Sequence, residues 1–236
     1  RRPRITRRIS MILPASPMTR AERARDLPEP KHKVDMTVTM EDGSRAPLDM
    51  ARLEYLIHEA CSGLEEVYPD KIIAETVKNL YDGVPMTQVY DSAILAARTL
   101  IEKDPAYSQV TARILLHTIR KEILGAEVTQ TEMVSRYADY FPKFIARGIE
   151  AELLDEKLAT YDLARLGAAL DAQRDFQFNY LGLQTLYDRY FLHKDGVRFE
   201  LPQIFFMRVA MGLAIEEEQR EARAIEFYNL LSSFDY

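Results

Sequence analysis

Cysteine is almost absent from this sequence of 236 residues. Cys61 is the single cysteine, which excludes a disulfide within the chain and any metal site built from several cysteines. The four histidines, His32, His58, His117 and His193, are widely separated, and no two have the i, i+4 spacing of a helical metal site. The sequence therefore predicts no bound metal, and its cysteine usage is consistent with a reducing cytoplasm.

Long apolar runs are also missing, since no stretch approaches the roughly 18 residues of a membrane span. The net charge of -6 is unevenly distributed: residues 1–33 hold ten Lys and Arg against three Asp and Glu, whereas residues 34–236 hold twenty-one against thirty-four. The basic segment lacks interleaved aromatic residues and adjoins an acidic body. We therefore expect residues 1–33 to be a linker or disordered arm, and we expect neither a nucleic-acid nor a membrane partner.

No residue pattern in the chain indicates a catalytic site. Cys61 falls on the inward side of a predicted helix, where a buried, inert thiol is expected. The acidic runs Glu65-Glu66 and Glu216-Glu217-Glu218 lie beside predicted helix ends and indicate solvated charge. The sequence therefore predicts no catalytic residue here.

The fold class is predicted as mainly α. Asp35–Met40 alternates apolar and polar residues, and Asp42-Gly43 supplies a tight hairpin turn. From Asp49, which can cap a helix, the apolar period becomes helical, and it predicts four helices that end at Gly125. Thr87 and Asp104 are the predicted N-caps of the third and fourth helices.

Residues 126–236 are predicted as an all-α domain with one β-hairpin. The hairpin turn is predicted at Lys194-Asp195-Gly196, and Pro202 is expected to begin an almost wholly apolar helix. A final amphipathic helix is predicted over 220–234. The many Phe and Tyr residues of this half recur at helical spacing and indicate a packed core.

The hairpin and four helices of residues 34–125 resemble the ATP-cone, a regulatory module of ribonucleotide reductase large subunits. The matching residues are Val38-Thr39-Met40-Glu41-Asp42-Gly43, followed by Leu48-Asp49 and Arg52-Leu53. By resemblance, the nucleotide-binding residues would be Asp49, Arg52, Arg120 and Lys121.

Four positions depart from the family pattern. Met40 and Glu41 stand where working cones have a lysine and an arginine for the triphosphate, and Met86 and Tyr90 stand where they have a threonine and a histidine. Glu41 has the wrong charge for a phosphate contact. We therefore expect a degenerate cone that keeps the fold, with weak binding of ATP or dATP.

The stretch "DFQFNYLGLQTLYDRYFLHKDGVRFELPQIFFMRVAMGLA" resembles the helical domain that precedes the catalytic barrel of class I large subunits. The resemblance implies a fragment of a ribonucleoside-diphosphate reductase, which makes deoxyribonucleotides for DNA replication. It further implies no cofactor in this fragment, ATP and dATP as allosteric effectors of the parent enzyme, and a radical-generating small (beta) subunit and a second large subunit as partners. The fragment alone is expected to be inactive. The alternative is a stand-alone nucleotide-sensing or scaffolding module without catalysis.

Overall fold

A small β-sheet comes first in the part of the chain that the structure, a computed structural model, describes: residues 27, 29–32 and 34–235. Strands β1 (Thr37–Thr39) and β2 (Arg45–Pro47) pair antiparallel, with Val38 opposite Ala46. Gly43 in the connecting turn has a φ of 80°, which only glycine adopts without strain. The predicted hairpin is confirmed.

A third strand, β3 (Val84–Pro85), was not predicted. It lies parallel to β1, with Val38 opposite Val84, and gives the sheet the order β2-β1-β3. Two residues are too few to show a strand period, so the pairing is visible only in three dimensions.

Four helices follow in the chain, as predicted, and they share one buried apolar cluster with residues of the sheet. Asp49 caps the first helix by accepting a hydrogen bond from the amide of Arg52 at 3.0 Å, and Gly125 ends the fourth with a φ of 68°. The helices are α1 (Met50–Cys61), α2 (Pro69–Lys78), α3 (Met86–Thr99) and α4 (Tyr107–Leu124).

Two of the predicted helix starts were wrong. Helix α3 begins at Met86, before Thr87, because Val84–Pro85 belongs to the sheet and Pro85 takes the N-cap position. Helix α4 begins at Tyr107, because Asp104 caps a preceding turn, in which its carboxylate accepts a hydrogen bond from the amide of Ala106 at 2.8 Å.

The second half is helical and contains one short hairpin, as predicted. At the hairpin turn Asp195 and Gly196 have φ values of 52° and 79°, which a tight turn of this kind requires. The elements are α5 (Gln130–Glu150), a 3₁₀ helix (Glu156–Thr160), α6 (Leu163–Ala168), a second 3₁₀ helix (Ala172–Gln177), α7 (Tyr180–Arg189), β4 (His193–Lys194), β5 (Val197–Arg198), α8 (Pro202–Leu213) and α9 (Arg220–Ser233).

The buried apolar residues form two clusters, and α4 contributes to both. Val110 and Ile114 belong to the first core, with residues of β1, α1, α2 and α3. Leu115, Leu116 and Ile119 belong to the second core, with residues of α5 to α9. Helix α4 is therefore a shared wall between the two halves.

The predicted arm, residues 1–33, lies mostly outside the described residues. Of its described residues, Lys31 and His32 donate backbone hydrogen bonds to the Glu54 carboxylate on α1, at 2.9 and 2.8 Å. These contacts join Lys31 and His32 to the first helix. Among the helices of the described part, none has the length and hydropathy that a membrane crossing requires.

Candidate functional site

The hairpin turn lies where the resemblance expects a lysine and an arginine. Met40 packs against the first core, and Glu41 is exposed. The Met40 amide donates to the Ser44 carbonyl at 2.8 Å, so the turn is closed by its own backbone. The Ser44 hydroxyl and amide donate to Asp42, and these hydrogen bonds hold the pKa of that carboxyl below its ordinary value. The turn thus presents carboxylates where a phosphate needs cations.

Glu127, in the loop between α4 and α5, connects two helices of the cone. Arg52 Nε on α1 donates to Glu127 Oε2 at 2.6 Å, and the Tyr90 hydroxyl on α3 donates to Glu127 Oε1 at 2.5 Å. On α4, His117 Nε2 is 3.9 Å from Glu127 Oε1, and Lys121 Nζ lies 5.1 Å from the centroid of the Tyr90 ring. We call these five residues the Glu127 cluster.

The cluster favours a negative charge on Glu127. Burial by itself would raise the pKa of Glu127, but the hydrogen bond from Tyr90 and the charge of Arg52 outweigh burial and lower it. Burial and the neighbouring Glu127 raise the pKa of Tyr90, so the phenol keeps its proton and remains a donor. Burial lowers the pKa of His117 to about 4, so its ring is neutral at pH 7.

The residues predicted by resemblance lie near one another but have different partners: besides burial, Arg52, Arg120 and Lys121 all lower the pKa of His117. Arg52 and Lys121 lie beside Tyr90, one of the positions that departs from the family pattern. The Asp49 carboxylate already accepts a hydrogen bond from the Arg52 amide as the N-cap of α1. Their role in nucleotide binding stays a prediction.

Arg120 makes its contacts within the second core. Its Nη2 donates to Gln130 Oε1 at 2.6 Å and to Asp175 Oδ2 at 2.7 Å, and its side chain is 5% exposed. Asp175 also accepts hydrogen bonds from the Tyr137 hydroxyl and from Gln203 Nε2, each at 2.8 Å. Arg120 is therefore a buried ion-pair partner at the junction of the two halves.

Glu127 and the buried Asp175 were not recognised in the sequence. Each is a lone acid near a helix end, without a repeated spacing that would mark it. A signal did exist for the start of α5, where Thr129 and Glu132 form a capping box. In the part of the chain that the structure describes, no group of three or more His, Cys, Asp or Glu side chains is arranged to hold a metal ion.

Comparison with known proteins matches both halves. Residues 36–122 match the ATP cone domain, and residues 176–236 match the all-alpha domain of ribonucleotide reductase. The alpha subunit of ribonucleoside-diphosphate reductase from Chlamydia trachomatis is 41% identical over 200 residues, which is 84% of this chain. The chain belongs to the ribonucleotide reductase large-subunit family.

More distant relatives in the ribonucleotide reductase family agree with this assignment. The alpha subunit from Helicobacter pylori is 32% identical over 203 residues, or 85% of the chain, and the large subunit from Danio rerio is 33% identical over 199 residues, or 84% of the chain. The chain spans only 19% of the Chlamydia protein, 25% of the Helicobacter protein and 24% of the Danio protein. These relatives support the prediction of a reductase large subunit and do not support the alternative of a stand-alone module.

Proposed function

We propose that the chain is a regulatory and structural part of a ribonucleoside-diphosphate reductase large subunit, and that its ATP cone no longer binds ATP or dATP tightly. The whole enzyme would reduce ribonucleotides to deoxyribonucleotides for DNA synthesis in the cytoplasm, with a radical-generating small subunit and a second large subunit as partners. In that enzyme ATP and dATP would act as allosteric effectors. The match of the first half to the ATP cone domain and that of the second half to the all-alpha domain of ribonucleotide reductase support this proposal.

Catalysis would have to come from residues outside this chain. Reduction of a ribonucleotide in this family uses several cysteines, and the chain has only Cys61. Cys61 is buried in the cone, and burial raises its pKa to about 11, so its thiol stays protonated at neutral pH. We therefore expect the chain by itself to be inactive as a reductase.

The observation that carries the proposal of a degenerate cone is the position of Glu127. Its carboxylate accepts hydrogen bonds from Arg52, a residue that the resemblance assigns to the nucleotide, and from Tyr90. A phosphate that used Arg52 would have to displace Glu127 and break two hydrogen bonds to a charged group, at a cost of about 1.5–3 kcal/mol each. That cost weakens binding by roughly two to four orders of magnitude.

Titration calorimetry of the 236-residue chain with ATP and with dATP tests the proposal. We expect dissociation constants in the millimolar range or weaker for both nucleotides. The proposal of a degenerate cone is wrong if the unmodified chain binds either nucleotide with micromolar affinity.

Removing the charge of Glu127 tests whether this carboxylate causes the weak nucleotide binding. Glu127→Gln keeps the size of the side chain, frees the positive charge of Arg52, and should tighten ATP binding at least tenfold. The matched control is Glu102→Gln, which removes one negative charge from an exposed turn. Equal affinities for the two variants would contradict the role assigned to Glu127.

The shared helix α4 supports a structural role for the cone. Its apolar residues fill parts of both cores, so the cone cannot move away from the helical half without exposing them. We propose that the cone is retained as a packing platform beside the all-alpha domain.

A further inference from the structure

Three residues of α4 form one stripe on the surface of this helix. Arg113, His117 and Arg120 are spaced i, i+4 and i+7, which places them on the same face. Within the described residues, Arg113 Nε, His117 Nε2 and Arg120 Nε are buried side-chain nitrogens without a hydrogen-bond partner. A buried polar atom left unpaired costs about 1–3 kcal/mol, so three in one place require a physical explanation.

The three residues line the same cavity, which has a volume of about 20 Å³. This volume exceeds the roughly 10–15 Å³ that one water molecule needs. The cavity lies between the two cores. Its other walls are Leu56, Glu59 and Ala60 on α1, Val128 and Gln130 at the start of α5, and Phe176 in the second 3₁₀ helix.

Both arginines are held rigidly by their other nitrogens. Arg113 Nη1 donates to the carbonyls of Ala60 and Ser62 at 3.0 and 2.8 Å, and its guanidinium lies 4.4 Å from the centroid of the Phe176 ring. Arg120 Nη2 is fixed by Gln130 and Asp175. Their Nε–H groups therefore cannot turn away toward solvent.

The charges around the cavity distinguish between a water molecule and a small anion. Arg113 and Arg120 are positive, Asp175 pairs with Arg120, and burial keeps His117 neutral at pH 7. Glu59 lies on the cavity wall, and burial raises the pKa of its carboxyl. A halide would have to lose its hydration beside this carboxyl, and burying an ion in this way is costly. Water adds no charge, and it can accept two hydrogen bonds and donate two.

We propose that this cavity binds one water molecule, which accepts hydrogen bonds from Arg113 Nε and Arg120 Nε and donates one to His117 Nε2. Glu59 supplies a second acceptor on the wall of the cavity. Leu56 and Ala60 belong to the first core and Val128 to the second, so the water molecule bridges the ATP cone and the helical half. This inference is independent of whether the cone binds nucleotide.

NMR of the ¹⁵N-labelled chain tests the proposal in solution. We expect the Nε–H protons of Arg113 and Arg120 to show cross-peaks to water with NOE and ROE of opposite sign, as a long-lived bound water gives. Arg52 and Arg208 are internal controls, because their Nε atoms donate directly to Glu127 and Glu200, each at 2.6 Å. These two should show no such cross-peak.

Crystals grown in sodium bromide distinguish water from an anion. We expect one water-sized density peak in the cavity and no anomalous bromide signal there. A bromide peak would overturn the choice of water, and an empty cavity together with missing cross-peaks at both arginines would overturn the site.

Discussion

Arg120 and Lys121 are adjacent in the sequence, yet their side chains have different surroundings. Arg120 is buried against Asp175, whereas Lys121 is partly exposed and lies over the Tyr90 ring. The resemblance treats the two as a pair, because a sequence pattern does not show which way each side chain turns. On a helix, neighbouring residues point about 100° apart, so their roles can separate completely.

Replacing Arg120 should destabilise the protein far more than replacing its neighbour. Arg120→Met leaves Asp175 buried without its cation, and we expect the free energy of unfolding to fall by about 3–5 kcal/mol. Lys121→Met is the matched control and should change stability by at most about 0.5 kcal/mol. Urea denaturation of both variants measures the difference, and similar values would show that Arg120 is not a structural residue.

His117 should make stability depend on pH in the acidic range. Burial lowers its pKa to about 4 from an ordinary 6.5, against the opposing effect of Glu127 and with the help of Arg52, Arg120 and Lys121. Between these two pH values the unfolded state binds more protons, so stability is complete above pH 6.5 and is lost as the pH falls toward 4. The loss from this group should be about 3 kcal/mol.

Comparison of two histidine variants isolates this contribution. The free energy of unfolding of His117→Gln should fall less steeply than that of the unmodified chain between pH 6.5 and pH 4, because the titrating ring is gone. His58 is exposed on α1, and His58→Gln should keep the original pH dependence. If both variants follow the original curve, His117 is not the group responsible.

At the scale of single elements, the residues that cap helices gave the most accurate predictions of where helices begin and end. Asp49 is the N-cap of one helix and Gly125 the C-cap of another, as predicted. Such caps depend only on residues within a few positions of the helix end, so the sequence shows them. The predicted starts of α3 and α4 were wrong, because strand β3 directly precedes α3 and a turn capped by Asp104 precedes α4. The Val84–Pro85 strand could not be predicted, since it exists only through its pairing with β1.

The capping box at the start of α5 should contribute measurably to stability. The Thr129 hydroxyl accepts from the Glu132 amide, and the Glu132 carboxylate accepts from the Thr129 amide at 2.9 Å. Thr129→Ala should lower the free energy of unfolding by about 1 kcal/mol. Ser135→Ala, at an exposed position inside the same helix, should be neutral or slightly stabilising, since alanine favours a helix. An equal loss in both variants would argue against the cap.

At the scale of the whole molecule, α4 makes the two halves interdependent. The division into residues 34–125 and 126–236 follows the helix pattern and the sequence resemblance, and it stays a prediction. Helix α4 contributes apolar residues to the cores on both sides of this boundary. The sequence showed that α4 is amphipathic enough to pack on the cone. It could not show a second buried face, since that depends on which residues of α5 to α9 come to lie against it.

This interdependence predicts that the cone and the helical half unfold together. The chain has no tryptophan, so Tyr81→Trp in the cone and Tyr190→Trp in the second half each supply a single fluorescent reporter, and both tyrosines are 56% exposed. Because the shared core couples the halves, the two reporters should give the same urea midpoint. Adding Leu116→Ala, which opens a cavity in the shared wall, should lower both midpoints equally, with a loss of about 2–5 kcal/mol. Two separated midpoints would mean that the halves fold independently, and the cone would then not be a packing platform.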